Sequence, residues 1–186
     1  ANPFRPGAGT TPPALLVRDE LIRSCEMTLA RARRGKPGKS VMPVGLRGVG
    51  KTVLLNRFAE LATTAGYSAV FIEAMDGGHL STLLAVQLRK LLLELDRGGE
   101  SRQVMKALRV LKSFALQFPD GSSIQLDPEP LLGEADSGRL DEDLTDLFVA
   151  LGEAAADRSQ GVLISVDEVQ YLSEQELSAL IVAIHR

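Results

Sequence analysis

The chain has 186 residues, of which 45% are apolar and 24% are charged, and its formal net charge is -3. This length accommodates one α/β domain with a buried core but is short for two domains. The small negative charge excludes a global basic field that would hold the whole domain on nucleic acid or on an anionic membrane.

Cysteine usage and the apolar runs bear on the compartment. Cys25 is the only cysteine, so an internal disulfide is impossible, and we expect this thiol to be buried as a small hydrophobe. No run approaches the roughly 18 to 20 apolar residues that a membrane span requires. Residues 1–6 lack the apolar run of a signal peptide. We therefore expect a cytoplasmic protein without a membrane partner.

The first third of the chain begins with an irregular, proline-rich arm over residues 1–13. Apolar residues at helical spacing predict a helix over residues 18–34, and a short linker follows. Residues 40–44 predict a short apolar strand, although Pro43 cannot donate to a ladder. Helical spacing resumes after Gly50 and stops at Gly66.

The middle of the chain departs from strand–helix alternation. Residues 69–72 predict a buried strand, and residues 80–95 and 101–112 predict two helices. Phe114, Leu116 and Phe118 then alternate with other residues, a Pro-Asp-Gly turn follows, and Ile124 and Leu126 alternate again. This pattern predicts a β-hairpin over residues 114–126.

The last third predicts a helix over residues 140–151, a core strand over residues 162–166 and a final helix. Ser173 and Glu176 have the spacing of a capping box at the start of this final helix. Leu172 and Leu177 have the spacing of the accompanying hydrophobic staple. The start of the final helix is therefore well specified.

A glycine-rich loop joins the strand predicted over residues 40–44 to the next helix. Residues 45–52 read Gly-Leu-Arg-Gly-Val-Gly-Lys-Thr, which satisfies G-x-x-x-x-G-K-[ST]. Such glycines let successive backbone N–H groups point at phosphate oxygens, and the helix dipole adds to the attraction. The predicted nucleotide-binding residues are Gly45, Arg47, Gly48, Val49, Gly50, Lys51, Thr52 and Val53. Lys51 also has a predicted catalytic role at the β- and γ-phosphates, and the Thr52 hydroxyl is a predicted Mg²⁺ ligand.

Two acidic residues follow the predicted strand over residues 162–166, at the edge where open α/β sheets bind ligands. Asp167 is predicted to hold Mg²⁺, and Glu168 to orient and deprotonate the attacking water. A small-molecule kinase excludes water, so Glu168 favours hydrolysis. The guanine signature N-K-x-D is absent from the sequence, which favours ATP as the nucleotide.

Together, residues 45–52 and 162–168 make the chain resemble P-loop ATPases of the additional-strand, catalytic-glutamate type. More narrowly, the chain is similar to prokaryotic AAA+ ATPases related to replication initiators and to STAND-type switch ATPases. The resemblance implies a three-layer α/β sandwich with a parallel core sheet. It also implies that Val17 and Arg18 lie against the adenine, although the glycine usual before that arginine is absent.

The resemblance divides the chain into an arm and helix over residues 1–39 and a P-loop core over residues 40–186, with an insertion over about 100–138. It further implies a sensor-1 strand beyond Arg186, between the strands predicted over residues 41–44 and 162–166. We therefore hypothesise an incomplete core. Its gap would be closed by a non-standard pairing, including self-association, or would leave the domain marginally stable.

A basic cluster precedes the phosphate loop and comprises Arg31, Arg33, Arg34, Lys36 and Lys39. It is either a solvated helix end or a contact for DNA or an acidic protein partner. Two functions stay open: an ATP hydrolase that couples nucleotide state to conformational change, and a non-hydrolysing switch or DNA-binding initiator module.

Overall fold

Two parallel strands lie at the centre of the fold. The computed structural model describes residues 19–36, 39–44, 48–97, 99, 101–118 and 128–185. The strands are β1 (Tyr67–Glu73) and β2 (Gly161–Asp167), and they pair in register from Tyr67 opposite Gly161 to Glu73 opposite Asp167. Parallel pairing requires a long crossover. Here the described part of the connection contains three helices.

The helices are assigned in chain order. They are α1 (Asp19–Ala32), α2 (Lys51–Thr64), α3 (Leu80–Asp96), α4 (Arg102–Gln117), α5 (Leu140–Asp157) and α6 (Glu174–His185). A single 3₁₀ turn, Val169–Tyr171, lies between β2 and α6. These bounds confirm the predicted helices around residues 18–34, 51–65, 80–95 and 140–151. They also confirm the strands predicted over residues 69–72 and 162–166, which pair with each other.

Side chains alternate between the two faces of the sheet, as strand geometry requires. Tyr67, Phe71 and Leu163 pack with a cluster on α1 and α2 that contains Cys25, which is buried as predicted. The intervening residues of both strands, such as Ile72 and Ile164, pack into a larger cluster with α3, α4, α5 and α6. Helices therefore cover both faces of the sheet, as in the predicted three-layer arrangement.

The start of β2 is fitted closely to the start of β1. A Cβ built at Gly161 would lie only 2.1 Å from Cε1 of Tyr67. The Tyr67 hydroxyl donates to the carbonyl of Leu29 at 2.8 Å, which fixes α1 to this end of the sheet. Glycine at position 161 is what leaves space for the ring.

The strand predicted over residues 40–44 is not formed. The described residues 39–44 carry no strand, and Val41, Met42 and Val44 are exposed, Val44 to 89%. A strand is defined by its ladder, and β1 and β2 pair only with each other among the described residues. Apolar character at residues 40–44 did not suffice without a neighbouring strand.

The prediction of a β-hairpin over residues 114–126 is wrong for its first half. Phe114 and Leu116 lie in α4, which continues to Gln117. Phe114 is buried on the same helical face as Ala107 and Leu111, and its ring lies 4.9 Å from that of Phe118. The four-residue spacing of Phe114 and Phe118 suits a helix as well as a strand. Leu116, between them, is 52% exposed and so lies on the other face of the helix. Ile124 and Leu126 lie outside the described residues.

We expect the leucine face of α3 to dominate the stability of the larger cluster. Leu88→Ala should lower the free energy of unfolding by about 2 to 5 kcal/mol, because Leu88 is fully buried in that cluster. Leu93→Ala on the same helix removes a side chain that is 38% exposed and should cost below about 1 kcal/mol. Urea denaturation followed by circular dichroism measures both. Equal losses would contradict this packing.

Candidate functional site

The candidate site lies at the carboxyl ends of β1 and β2. Asp167 is the last residue of β2 and alternates in phase with Leu163, which packs on the α1 and α2 side of the sheet. The period of two therefore directs the Asp167 side chain toward α2. Asp167 is 6% exposed, and buried carboxylates require hydrogen-bond partners.

Both Asp167 oxygens have such partners. Thr52 Oγ1 donates to Oδ2 at 2.6 Å, across 115 residues of sequence. The backbone N–H of Glu168 donates to Oδ1 at 2.9 Å. The structure thus brings the two predicted metal ligands, Thr52 and Asp167, into direct contact.

These two side chains suit Mg²⁺. Mg²⁺ is usually bound by one or two protein oxygens, with waters and substrate phosphates completing its octahedron. A hydroxyl and a carboxylate whose oxygens lie 2.6 Å apart fit that demand. The described residues contain no cluster of three or more His, Cys, Asp and Glu side chains that would instead form an all-protein cage.

The described end of the glycine-rich loop has the backbone that its glycines permit. Gly48 and Gly50 have φ of 82° and 83°, in the left-handed region that side-chain-bearing residues avoid. Gly50 is the N-cap of α2 and, as a glycine, has no side chain with which to cap it. A helix N-terminus of this kind attracts anions. Val49 directly precedes this N-cap, and Lys51 and Val53 lie in the first turn of α2. Gly45 and Arg47 lie outside the described residues.

Glu168 occupies a strained position directly after Asp167. Its φ is 54° and its ψ is 38°, a left-handed conformation that is uncommon for residues other than glycine. Such strain is concentrated at functional sites. The side-chain amide of Gln170 donates to the Glu168 carboxylate. Gln170 was not among the predicted site residues, and its position two residues after Glu168 was the available signal.

The loop after β1 reaches the same edge. The Ala74 N–H donates to the Asp167 carbonyl at 3.1 Å, and Glu73 lies opposite Asp167 in the register. Glu73 is exposed. The segment that leads into α3 is thereby joined to the end of β2.

The predicted capping box of α6 is confirmed and has an additional partner. Glu176 Oε2 accepts from the N–H and hydroxyl of Ser173 at 2.9 and 2.8 Å, and the Glu176 N–H donates back to Ser173 Oγ at 3.2 Å. Glu176 Oε1 accepts from the N–H of Leu80 at 2.8 Å. The spacing of residues 173 and 176 predicted the first contact, but no sequence signal indicated the second.

The remaining sequence-predicted residues lie away from this edge or outside the described ranges. Val17 and Arg18 are outside them, so no adenine contact is described. The basic residues around the end of α1 are exposed, and Arg33 Nη1 donates to the Ala65 carbonyl at the end of α2. One cation of the cluster thus caps a helix C-terminus. Within the described residues, no helix is both long enough and apolar enough to cross a bilayer.

Gly48 offers a test of the loop backbone. A Cβ at Gly48 would contact nothing within 4 Å, so Gly48→Ala isolates the strain of φ +82°. We expect it to lower the free energy of unfolding by about 1 to 2 kcal/mol. Gly152→Ala, also without a contact within 4 Å but inside α5, should instead stabilise by about 0.5 to 1 kcal/mol. Urea titration of both variants gives the comparison, and a gain in both would refute the strained loop.

Comparison with known proteins agrees with the geometry. No curated protein and no solved structure matched the chain. A protein-family model described as AAA ATPase domain matches residues 14–186. The match spans the loop before α2, both strands, and Asp167 and Glu168 at the end of β2. The chain therefore belongs to the AAA ATPase domain family, whose members have a P-loop α/β fold and bind nucleotide.

Proposed function

We propose that this domain binds Mg·ATP between the N-terminus of α2 and the carboxyl end of β2 and hydrolyses it. The observation that carries the proposal is the contact between Thr52 Oγ1 and Asp167 Oδ2 at 2.6 Å. Two residues 115 positions apart, each at the metal-holding position of its predicted motif, meet as a shared metal site requires. Family membership supports the nucleotide.

Nucleotide binding is assigned to the loop and the first turn of α2. In this proposal backbone N–H groups of the loop surround the β- and γ-phosphates, and Lys51 neutralises part of their charge. The residues concerned are Gly45, Arg47, Gly48, Val49, Gly50, Lys51, Thr52 and Val53. The left-handed Gly48 and Gly50 support this assignment, because that backbone is what an inward-facing set of N–H groups requires. Val17 and Arg18 remain proposed adenine contacts.

Thr52 and Asp167 are the residues that would hold Mg²⁺. When bound, the ion supplies charge neutralisation at the phosphate oxygens. Thr52 is half-buried on α2 and Asp167 is buried on β2, so their oxygens are held by two packed elements rather than by mobile loops. Rigid placement of this kind is what positions a substrate for reaction.

Glu168 is assigned the role of general base. Its carboxylate accepts a proton from the attacking water as the water oxygen bonds to the γ-phosphorus, and the bond to the leaving ADP oxygen breaks. Gln170 donates to this carboxylate, which leaves further lone pairs available for a water. The strained backbone at Glu168 supports a functional role, since such strain persists where a site requires it.

Hydrolysis would couple nucleotide state to a conformational change, as the similarity to replication-initiator and STAND-like ATPases suggests. The alternative is a switch or DNA-binding initiator module that binds ATP without turnover. Glu168 favours hydrolysis, and the exposed basic cluster at the end of α1 is what the DNA-binding alternative would use. Partners beyond the nucleotide, including a second copy, stay predictions.

Lys51 and Glu168 should separate binding from chemistry. We expect Lys51→Ala to weaken Mg·ATP binding by about tenfold or more, because it removes a cation from the triphosphate. Glu168→Gln should bind within about threefold of wild type and lose about 10²- to 10⁴-fold in turnover, because the base is gone. Isothermal calorimetry and phosphate release measure the two effects.

Matched controls for these variants are Lys90→Ala and Glu94→Gln, two exposed side chains in the second half of α3. Both should behave as wild type. Binding without turnover in the wild-type protein would favour the switch. Absence of Mg·ATP binding by folded wild-type protein would refute the assignment as a whole.

Thr52 should govern the magnesium dependence. Thr52→Val keeps the shape of the side chain but removes the hydroxyl, so we expect the enhancement of ATP binding by Mg²⁺ to fall by about tenfold. Thr52→Ser retains the oxygen and should preserve the enhancement. Nucleotide titrations with Mg²⁺ and with EDTA give the ratio. An unchanged ratio in Thr52→Val would exclude Thr52 as a ligand.

A further inference from the structure

Glu176 lies on α6, eight residues beyond Glu168 and outside the metal and phosphate contacts described above. We propose that Glu176 is a positioning residue, which ties the turn that carries Glu168 to the first turn of α3 and so holds the catalytic carboxylate in place. This inference rests on the proposed function and deepens it.

The carboxylate of Glu176 serves two helices at once. Oε2 accepts from the N–H and the hydroxyl of Ser173, and Oε1 accepts from the N–H of Leu80. The distances are 2.8 to 2.9 Å. The Glu176 side chain is 13% exposed, so water has little access to replace these bonds. One side chain therefore joins the starts of α3 and α6.

The start of α3 depends on this contact. In the described part of the chain, His79 at the N-cap of α3 offers no side-chain acceptor to the helix. Leu80, the first residue of α3, is fully buried, and its N–H is one of the donors that a helix leaves without an internal partner. Glu176 satisfies this donor from another element. Its removal would leave a buried N–H unpaired.

The other half of the tie leads back to Glu168 through the short turn after β2. The Tyr171 N–H donates to the Glu168 carbonyl at 3.0 Å, and the Leu172 N–H donates to the Val169 carbonyl at 3.1 Å. Leu172 is buried in the larger cluster. The next N–H, that of Ser173, binds Glu176. The turn is thus held at its Glu168 end by β2 and at its Ser173 end by Glu176.

The ionisation of Glu176 agrees with this double role. Burial alone would raise the pKa of Glu176, but hydrogen bonds from Leu80 and Ser173 and the proximity of His79 together lower the pKa below its usual value. The ionised carboxylate accepts at both oxygens. A glutamine at this position would accept at only one, which gives a variant that severs half of the tie.

Three variants test the tie. Glu176→Ala removes both halves, Glu176→Gln preserves one acceptor, and Ser173→Ala is the matched control. Ser173→Ala weakens the α6 cap but leaves the Ser173 N–H and Leu80 N–H contacts to Glu176 intact. If Glu176→Ala fails to fold, Glu176→Gln, which keeps one of the two acceptor oxygens, is compared with Ser173→Ala instead.

Hydrogen–deuterium exchange of the nucleotide-free protein tests the structural link. In Glu176→Ala we expect amide exchange to rise by about tenfold both in residues 80–83 and in residues 169–173. Ser173→Ala, which keeps both N–H contacts to Glu176, should leave exchange at residues 80–83 unchanged. Unchanged exchange at residues 80–83 in Glu176→Ala would overturn the tie, whether or not the protein hydrolyses ATP.

Steady-state turnover and calorimetry test the positioning role. We expect kcat to fall by about tenfold to a hundredfold in Glu176→Ala, less in Glu176→Gln, and by under about threefold in Ser173→Ala. The Kd for Mg·ATP should stay within about threefold of wild type in all three. A purely structural role would weaken binding and turnover together, and that result would overturn the proposal.

Failure of the proposed function has a different signature. Wild-type protein that binds no Mg·ATP or hydrolyses none refutes hydrolysis, and with it the positioning of Glu168, while the exchange experiment still decides the tie between α3 and α6. Active wild-type protein with an unchanged kcat in Glu176→Ala refutes the positioning role alone.

Discussion

The contact between the Thr52 hydroxyl and the Asp167 carboxylate is the interaction on which the site depends. It joins the first turn of α2 to the last residue of β2, two elements that are far apart in sequence. Neither strand nor helix alone would place an oxygen pair there. Packing of α2 across β1 and β2, through residues such as Phe58 and Leu163, brings the two oxygens within hydrogen-bond distance.

Much of this site could be predicted from the sequence because its parts are local. The glycines and Lys51-Thr52 form one continuous motif, and Asp167 and Glu168 directly follow an apolar strand. The alternation of side chains along β2 then fixes which way Asp167 faces. The fold on either side of the sheet followed from helical spacing in the same way. The roles assigned to these residues are proposals. The structure shows that Thr52 and Asp167 lie in contact.

What the sequence could not yield were features set by tertiary partners. Residues 40–44 have strand composition, but a ladder needs a neighbour, which the pattern cannot supply. The spacing of Phe114 and Phe118 fits both a helix and a strand. In the structure Phe114 is buried on one face of α4, so the segment that contains it is helical. The contact from Glu176 to Leu80 crosses 96 residues, beyond the reach of any spacing rule. Local patterns thus predicted the chemistry better than the connections around it.

The close approach of the Tyr67 ring to Gly161 couples these two positions. Any side chain at residue 161 would displace the ring, and a smaller residue at 67 would give up the hydrogen bond to Leu29 that fixes α1. Among variants that retain the fold, we therefore expect glycine at 161 to accompany an aromatic residue at 67. Substitutions at residues 67 and 161 should therefore not be additive in their effect on the free energy of unfolding.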